Sequence, residues 1–322
     1  MSDVVILTGA AGFIGSHLAA SLLAREYRVI GIDNFDAFYP RELKQDNLAR
    51  LNSPNFELVE ADICDAFAME EVFERVRPNA LVHIAALAGV RPSLENPIRY
   101  TGVNVGGLVT LLEGARKVDC RRIVFASSSS VYGDNAKVPF AETDPVDDPI
   151  SPYAKTKRTG EVICSAYSEL NDMTIAALRF FTVYGPSQRP DLAIGKFMRM
   201  IARDETVPMF GDGSTSRDYT YIDDIIEGVL AAYDRVAQGP REKFRIYNLG
   251  SCHPISLGEM IEAIGRVVGK TPRIQQHPMQ PGDVRRTHAD LTRSEAELGY
   301  APQTPFVEGL SRQWKWLQAR LD

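Results

Sequence analysis

Two hydrophobic periods alternate through the first half of the chain. Short runs rich in β-branched residues, at positions 4–7, 27–32, 56–59, 80–84, 122–126 and 174–179, have the length and composition of buried strands. Between them apolar residues recur at helical spacing. Ile14, Leu18, Ser21 and Leu22 share one face of a predicted helix over 13–25, and Leu108, Leu111, Leu112 and Ala115 do so over 98–118. A third helix is predicted over 152–170, with Pro152 in its first turn, where the missing N–H has no helical partner to lose. Strands alternating with helices predict an α/β fold, a doubly wound parallel sheet with helices on both faces.

After Tyr184 the texture changes. Gly185-Pro186 and Arg189-Pro190 mark loops, and the predicted pieces shorten. Helices are predicted over 194–202, 222–236, 257–268 and 305–321, strands over 208–210 and 245–249, and a glycine-rich turn over 211–214. No low-complexity linker separates the halves. The expected organisation is a doubly wound domain over 1–182, completed by segments near 220–250, with a smaller mixed α/β lobe over 183–322 woven into it.

Composition narrows the function classes. The 322 residues suffice for two lobes. A net charge of −6, from 36 basic and 42 acidic side chains, offers no broad attraction to nucleic acid or anionic lipid. No stretch approaches the ~18 apolar residues of a membrane span, and the apolar run after Asp3 lacks the basic start of a signal peptide. Cys64, Cys120, Cys164 and Cys252 form no CxxC pair and no zinc spacing with histidine. Unpaired thiols suit a reducing compartment, so the expectation is a cytosolic protein without a metal.

Thr8-Gly9-Ala10-Ala11-Gly12-Phe13-Ile14-Gly15 joins the first strand to the first helix. Its GxxGxxG spacing departs from the commoner GxGxxG, but the physics is similar. Glycines allow a tight turn and close approach of the backbone to a pyrophosphate, and the helix N-terminus turns free N–H groups toward the phosphates. Asp33 ends the second strand. A carboxylate there accepts hydrogen bonds from an adenosine ribose diol and repels a 2′-phosphate, and neither Asn34 nor Phe35 brings positive charge. The pattern points to NAD rather than NADP. Asp62-Ile63, after the third strand, either brackets the adenine or forms a solvated turn.

Tyr153 and Lys157 lie four apart, on one face of the third helix. A free phenol has a pKa near 10 and is a poor base at neutral pH, but a neighbouring ammonium favours the phenolate. Ser127-Ser128-Ser129-Ser130-Val131-Tyr132-Gly133 stands at the C-terminal end of a predicted strand, where ligands sit in doubly wound sheets. A serine there can hydrogen-bond a substrate hydroxyl.

Together these motifs resemble the extended short-chain dehydrogenase/reductase family. The resemblance rests on Thr8 to Gly15, Asp33, Asp62, His83-Ile84-Ala85-Ala86, Asn104, Ser127 to Gly133, Tyr153 with Lys157, and Arg179 to Pro186, and it covers essentially the whole chain. It implies an NAD-binding Rossmann domain and a C-terminal lobe for a nucleotide-sugar. It implies that Ser128 and Tyr153 touch the reacting hydroxyl and that Lys157 holds the nicotinamide ribose. Ala85, Ala86, Asn104, Ser127 and Phe180 would line the cofactor site. A homodimer is implied as well, a four-helix bundle made from the helices over 98–118 and 152–170. Ile163, Tyr167 and Leu170 either supply part of that face or pack against the protein's own sheet.

The family divides by chemistry at the serine segment. Its 4,6-dehydratases carry Thr-Asp-Glu there, and its decarboxylating members a glutamate just before Val-Tyr-Gly. Ser128-Ser129-Ser130 has no carboxylate, so acid/base chemistry at a second carbon lacks its usual groups and epimerisation by reversible hydride transfer remains. The later motifs resemble the nucleotide-sugar 4-epimerases, most closely those acting on UDP-glucuronate. By that resemblance Ser129, Ser130 and Thr182 meet the sugar, and Arg189 in Ser187-Gln188-Arg189-Pro190-Asp191 faces its carboxylate, which a guanidinium fork suits. A diphosphate contact or a solvated charge is the other reading of Arg189. Phe210 would stack near uracil and Arg217 would pair with the diphosphate, while Lys196, Phe197 and Asp283 match other nucleotide contacts. Thr287 stands where some members carry a bulky gate, and its small side chain leaves room for an N-acetylhexosamine. The expected reaction is UDP-glucuronate to UDP-galacturonate through a 4-keto intermediate. The alternatives are UDP-glucose or UDP-N-acetylglucosamine epimerisation and, further off, decarboxylation or dehydration.

Overall fold

A computed structural model describes residues 3–239, 242–279 and 284–321. The first half runs β1 (Val4–Thr8), α1 (Phe13–Ala24), β2 (Arg28–Asp33), α2 (Arg41–Leu48), β3 (Phe56–Glu60), α3 (Ala66–Val76), β4 (Ala80–His83), α4 (Val90–Glu95), α5 (Pro97–Thr101), α6 (Gly107–Lys117), β5 (Arg122–Ser128), α7 (Pro152–Asn171) and β6 (Thr174–Phe180). The second runs β7 (Thr182–Tyr184), α8 (Ala193–Ala202), β8 (Thr206–Phe210), β9 (Ser216–Tyr221), α9 (Ile222–Ala237), β10 (Phe244–Leu249), β11 (Pro254–Ser256), α10 (Leu257–Val268), β12 (Arg273–His277), α11 (Thr292–Leu298) and α12 (Phe306–Gln318).

Seven strands form one sheet in the order β3-β2-β1-β4-β5-β6-β10, every pair parallel. This is the Rossmann arrangement. Side chains alternate across it: Val5 and Leu7 enter one apolar core with Leu18, Leu22 and Ile222, while Ile6 enters the other with Phe73, Leu111 and Leu112. Burial on both faces explains why these strands read as continuous apolar runs. The register aligns the strand ends, with Thr8 opposite both Ile32 and His83, and Ser128 opposite Phe180. The chain leaves this sheet after β6, returns to it through α9 and β10, and leaves again. Two small sheets, β11-β9-β7 and β12-β8, carry the outer lobe.

The helix expected over 98–118 is not uniform. Asn96 caps α5 by accepting from the Arg99 N–H at 3.2 Å, and a single π-helical turn over Gly102–Gly106 separates α5 from α6. A π turn lodges one extra residue, and here it swings Asn104 inward. Periodicity also missed α2, Arg-Glu-Leu-Lys-Gln-Asp-Asn-Leu, because the side chains it buries are Lys44 and Asn47. The face of α7 divides: Ile163 and Tyr167 pack on the protein's own core, whereas Leu170 is 83% exposed. No helix among the described residues is long and apolar enough to cross a membrane.

Candidate active site

The order in which strands are added to the sheet reverses between β1 and β4, and the loops leaving these two strands part at their C-terminal ends. A cavity of about 490 Å³ opens there. The glycine loop forms one wall. Gly9 has φ +72, and a Cβ on it would stand 2.9 Å from the Ala85 nitrogen. A Cβ on Gly15 would overlap the Gly9 carbonyl. Any side chain at either place would fill the cradle or force β1 and β4 apart. No acidic residue occupies the first turn of α1, so its N-terminal N–H groups keep their positive field for an anion.

At the β2 end, Asp33 accepts from the Ala11 N–H at 3.1 Å, the Phe35 N–H at 2.8 Å and the Lys44 ammonium at 3.2 Å. Lys44 reaches this point from α2, a helix with no apolar stripe. It supplies the positive charge that Asn34 and Phe35 lack, and the buried pair with Asp33 neutralises it. Asn34 donates to Asp62 at 2.9 Å, and both border the cavity with Ile63.

At the β5 end, Ser128 caps the helical turn over Ser129–Tyr132. Ser151 caps α7 and sets Tyr153 and Lys157 one turn apart on the cavity wall. Burial raises the Tyr153 pKa, opposed by a hydrogen bond with Ser128 and by the Arg189 charge. Arg189 thus joins Lys157 as a basic side chain bordering the cavity that holds the phenol. Lys157 donates to the Ala126 carbonyl at 2.7 Å, and burial lowers its pKa to about 8. Tyr100 packs edge-on against Tyr153 at 6.3 Å and donates to the Ala88 carbonyl. His83 is a core histidine: it bonds Thr8, and burial lowers its pKa to about 3.

The cavity gathers Gly9, Gly12, Phe13, Ile14, Gly15, Asp33, Asn34, Asp62, Ile63, Ala85, Ala86, Ser127, Ser128, Ser129, Ser130, Tyr153, Lys157, Phe180, Thr182 and Arg189. Two of the expected cofactor residues also make hydrogen bonds within the protein. Asn104 stands behind the wall and clamps Leu87 through its N–H at 2.8 Å and its carbonyl at 2.9 Å. The Ser127 hydroxyl donates to buried Glu161 at 2.7 Å, and Glu161 holds Arg179 by two bonds of 2.8 and 2.9 Å.

The outer-lobe residues are spread more widely. Lys196 is exposed on α8, and Phe197 is buried in the core. Phe210 sits between His277 and the Arg91 guanidinium, and Arg217 donates to the Ser216 carbonyl. None of these four borders the cavity. Asp283 lies outside the described residues. Thr287 accepts from the Asp218 N–H at 3.0 Å. Among the described residues no group of three or more His, Cys, Asp or Glu could hold a metal ion.

The chain matches the family described as GDP-mannose 4,6 dehydratase over residues 6–313. It is 40% identical over 325 residues to UDP-glucuronate 4-epimerase 5 of Arabidopsis thaliana, an alignment covering 97% of this chain and 74% of that one. Among solved structures it resembles the UDP-glucuronic acid 4-epimerase of Bacillus cereus in complex with UDP-glucuronic acid and NAD, with a TM-score of 0.90, 32% identity, and 98% and 99% of the two chains covered. It also resembles the UDP-glucose 4-epimerase of Thermotoga maritima with UDP-glucose, with a TM-score of 0.89, 31% identity, and 99% and 100% covered.

Proposed function

The chain belongs to the GDP-mannose 4,6 dehydratase family, within the extended short-chain dehydrogenases/reductases, and from that premise we propose that it is an NAD-dependent 4-epimerase converting UDP-glucuronate to UDP-galacturonate. The observation that carries this reading is the convergence of Tyr153, Ser128 and Arg189 on the cavity whose other wall is the glycine loop. The residues fit the cofactor. The Gly9 and Gly15 cradle and the α1 N-terminus suit its diphosphate, Asp33 its adenosine ribose, and Lys157 its nicotinamide ribose. When bound, NAD would supply a reversible hydride acceptor for carbon 4 of the sugar.

The chain's own residues do the rest. Tyr153 takes the proton of the sugar 4-hydroxyl, and Ser128, on the same cavity wall, orients that oxygen. The positive charge of Arg189 eases ionisation of the phenol and holds the sugar carboxylate by charge-assisted hydrogen bonds. That hold opposes loss of carbon dioxide from the β-keto acid formed midway. Phe210 and Arg217, outside the cavity itself, would anchor the nucleotide while the keto sugar turns to present its other face. With Ser128, Ser129 and Ser130 in a row, no carboxylate stands ready for elimination or decarboxylation.

Two further parts belong to this reading. The protein is a homodimer, supported by the apolar side chains that α4, α5 and α7 turn outward: Leu94, Ile98 (86% exposed), Val162 and Leu170. It works in the cytosol, supported by four free thiols. The test is a screen of the NAD-loaded enzyme on UDP-glucuronate, UDP-glucose and UDP-N-acetylglucosamine, reading 4-epimers by chromatography. Fastest turnover of UDP-glucuronate is expected. A preference for either neutral sugar would return Arg189 to the diphosphate.

A further inference from the structure

Arg189 meets a carboxylate within its own loop. Its Nε donates to Asp191 Oδ1 at 3.1 Å and its Nη2 to Oδ2 at 3.0 Å, so one whole edge of the guanidinium is occupied. Its flat face lies over the Phe38 ring at 4.8 Å, which limits how the group can turn. The two partners differ in their surroundings. The Arg189 side chain is 16% exposed and borders the cavity, while that of Asp191 is 45% exposed. A carboxylate so accessible keeps water at hand when its partner leaves, and ion pairs of this kind are weak. A carboxylate inside the cavity meets the same guanidinium where less water competes, and bonds it more strongly.

We propose that Asp191 is a placeholder for the substrate's carboxylate. It fills the bidentate edge of Arg189 until an acidic sugar displaces it, and so sets the preference of the site between acidic and neutral UDP-sugars. The inference rests on the reading of Arg189 as the carboxylate selector. With UDP-glucuronate, the sugar carboxylate takes the guanidinium edge and Asp191 turns to water. With a neutral UDP-hexose, Asp191 stays in place, and the charge of Arg189 remains balanced beside a sugar that has none. Asp191 is thus a specificity-determining residue that opposes acidic substrates by competition and makes neutral ones tolerable.

The test uses Asp191→Asn, which keeps the size and removes the charge, with Asp191→Ala as a second variant. Both are made in the full-length, NAD-loaded protein. UDP-glucuronate and UDP-glucose are titrated calorimetrically in the Tyr153→Phe background, where turnover is blocked, and kcat/KM is measured for both sugars in the active enzyme. The placeholder predicts that affinity for UDP-glucuronate rises about two- to fivefold, in keeping with the loss of a weak competing pair. Affinity for UDP-glucose should be unchanged or lower, so the acidic-to-neutral ratio rises in both measurements. A falling ratio would show that Asp191 positions Arg189 for the substrate, and an unchanged ratio that the two carboxylates do not compete; either overturns the proposal. Arg189→Ala separates the layers. If it weakens both sugars equally, the selector reading fails and the placeholder with it. If it weakens only UDP-glucuronate while Asp191→Asn leaves the ratio unchanged, the placeholder alone fails.

Discussion

The rim at the ends of β5 and β6 and the loop after β7 serve one cavity, yet they are built differently. Under the catalytic rim lies a buried lattice. Glu161 and Arg179 are paired bidentately out of solvent, Ser127 is bonded to Glu161, and Lys157 is bonded to the Ala126 carbonyl. Around the substrate loop the charges are accessible: Arg189 is paired with a half-exposed Asp191 and stacked on Phe38. The difference follows from what each must do. Proton transfer needs Tyr153 and Ser128 within hydrogen-bond reach of one oxygen, so their supports are locked. A sugar that turns over between two hydride transfers needs a grip that can be released and remade, and partly hydrated ion pairs allow this.

The hardest test of the contrast is at the phenol. Tyr153→Phe should lower turnover by about 10³-fold, within the range for loss of a general base, while NAD stays bound. Steady-state assays and the absorbance of bound cofactor check the two halves, and an active variant would move the base elsewhere. One layer down, Glu161→Gln strands the buried Arg179 charge and should destabilise the fold by about 3–5 kcal/mol in urea unfolding. Asp191→Asn should change stability by no more than about 1 kcal/mol in the same experiment, and comparable losses would erase the distinction between rim and loop.

Arg189→Ala should weaken UDP-glucuronate by about ten- to a hundredfold, the worth of a buried charge-assisted pair, and UDP-glucose much less. Competition binding reads both. The last effect concerns pH. Lys157 has a pKa near 8 in the fold against 10.5 as an ordinary lysine. Between these values the unfolded chain binds more protons than the folded one, so this group adds stability as pH rises through that window. Lys157→Met should remove that increment, seen as a smaller gain, or larger loss, in urea midpoint between pH 8 and 10 than in the unchanged protein.

Much of this was legible from one dimension. All seven strands of the main sheet, the glycine loop, Asp33, and the Tyr153 and Lys157 pair follow from apolar runs and short spacings, because strand burial and helix faces are local consequences of sequence. The charged contacts were less legible. Lys44 lies in a helix with no apolar stripe, and only folding brings it to Asp33. The motif at Asn104 carries no orientation, and the π turn that aims its side chain at Leu87 has no periodic signal.

The sequence by itself determined the α/β alternation, the place of the cofactor loop and the identity of the candidate base. Each depends on residues within a few positions of one another, where backbone geometry leaves little choice. Tertiary structure alone brought Arg189, from a loop of the outer lobe, to the cavity that holds that base, and set the Lys157 ammonium on the Ala126 carbonyl of the strand beneath. It likewise decided that Ser127 turns to Glu161 while Ser128 turns to Ser130. Adjacent serines in a row are alike as letters. They differ only because successive side chains of a strand point to opposite faces, and what waits on each face is brought there by distant parts of the chain.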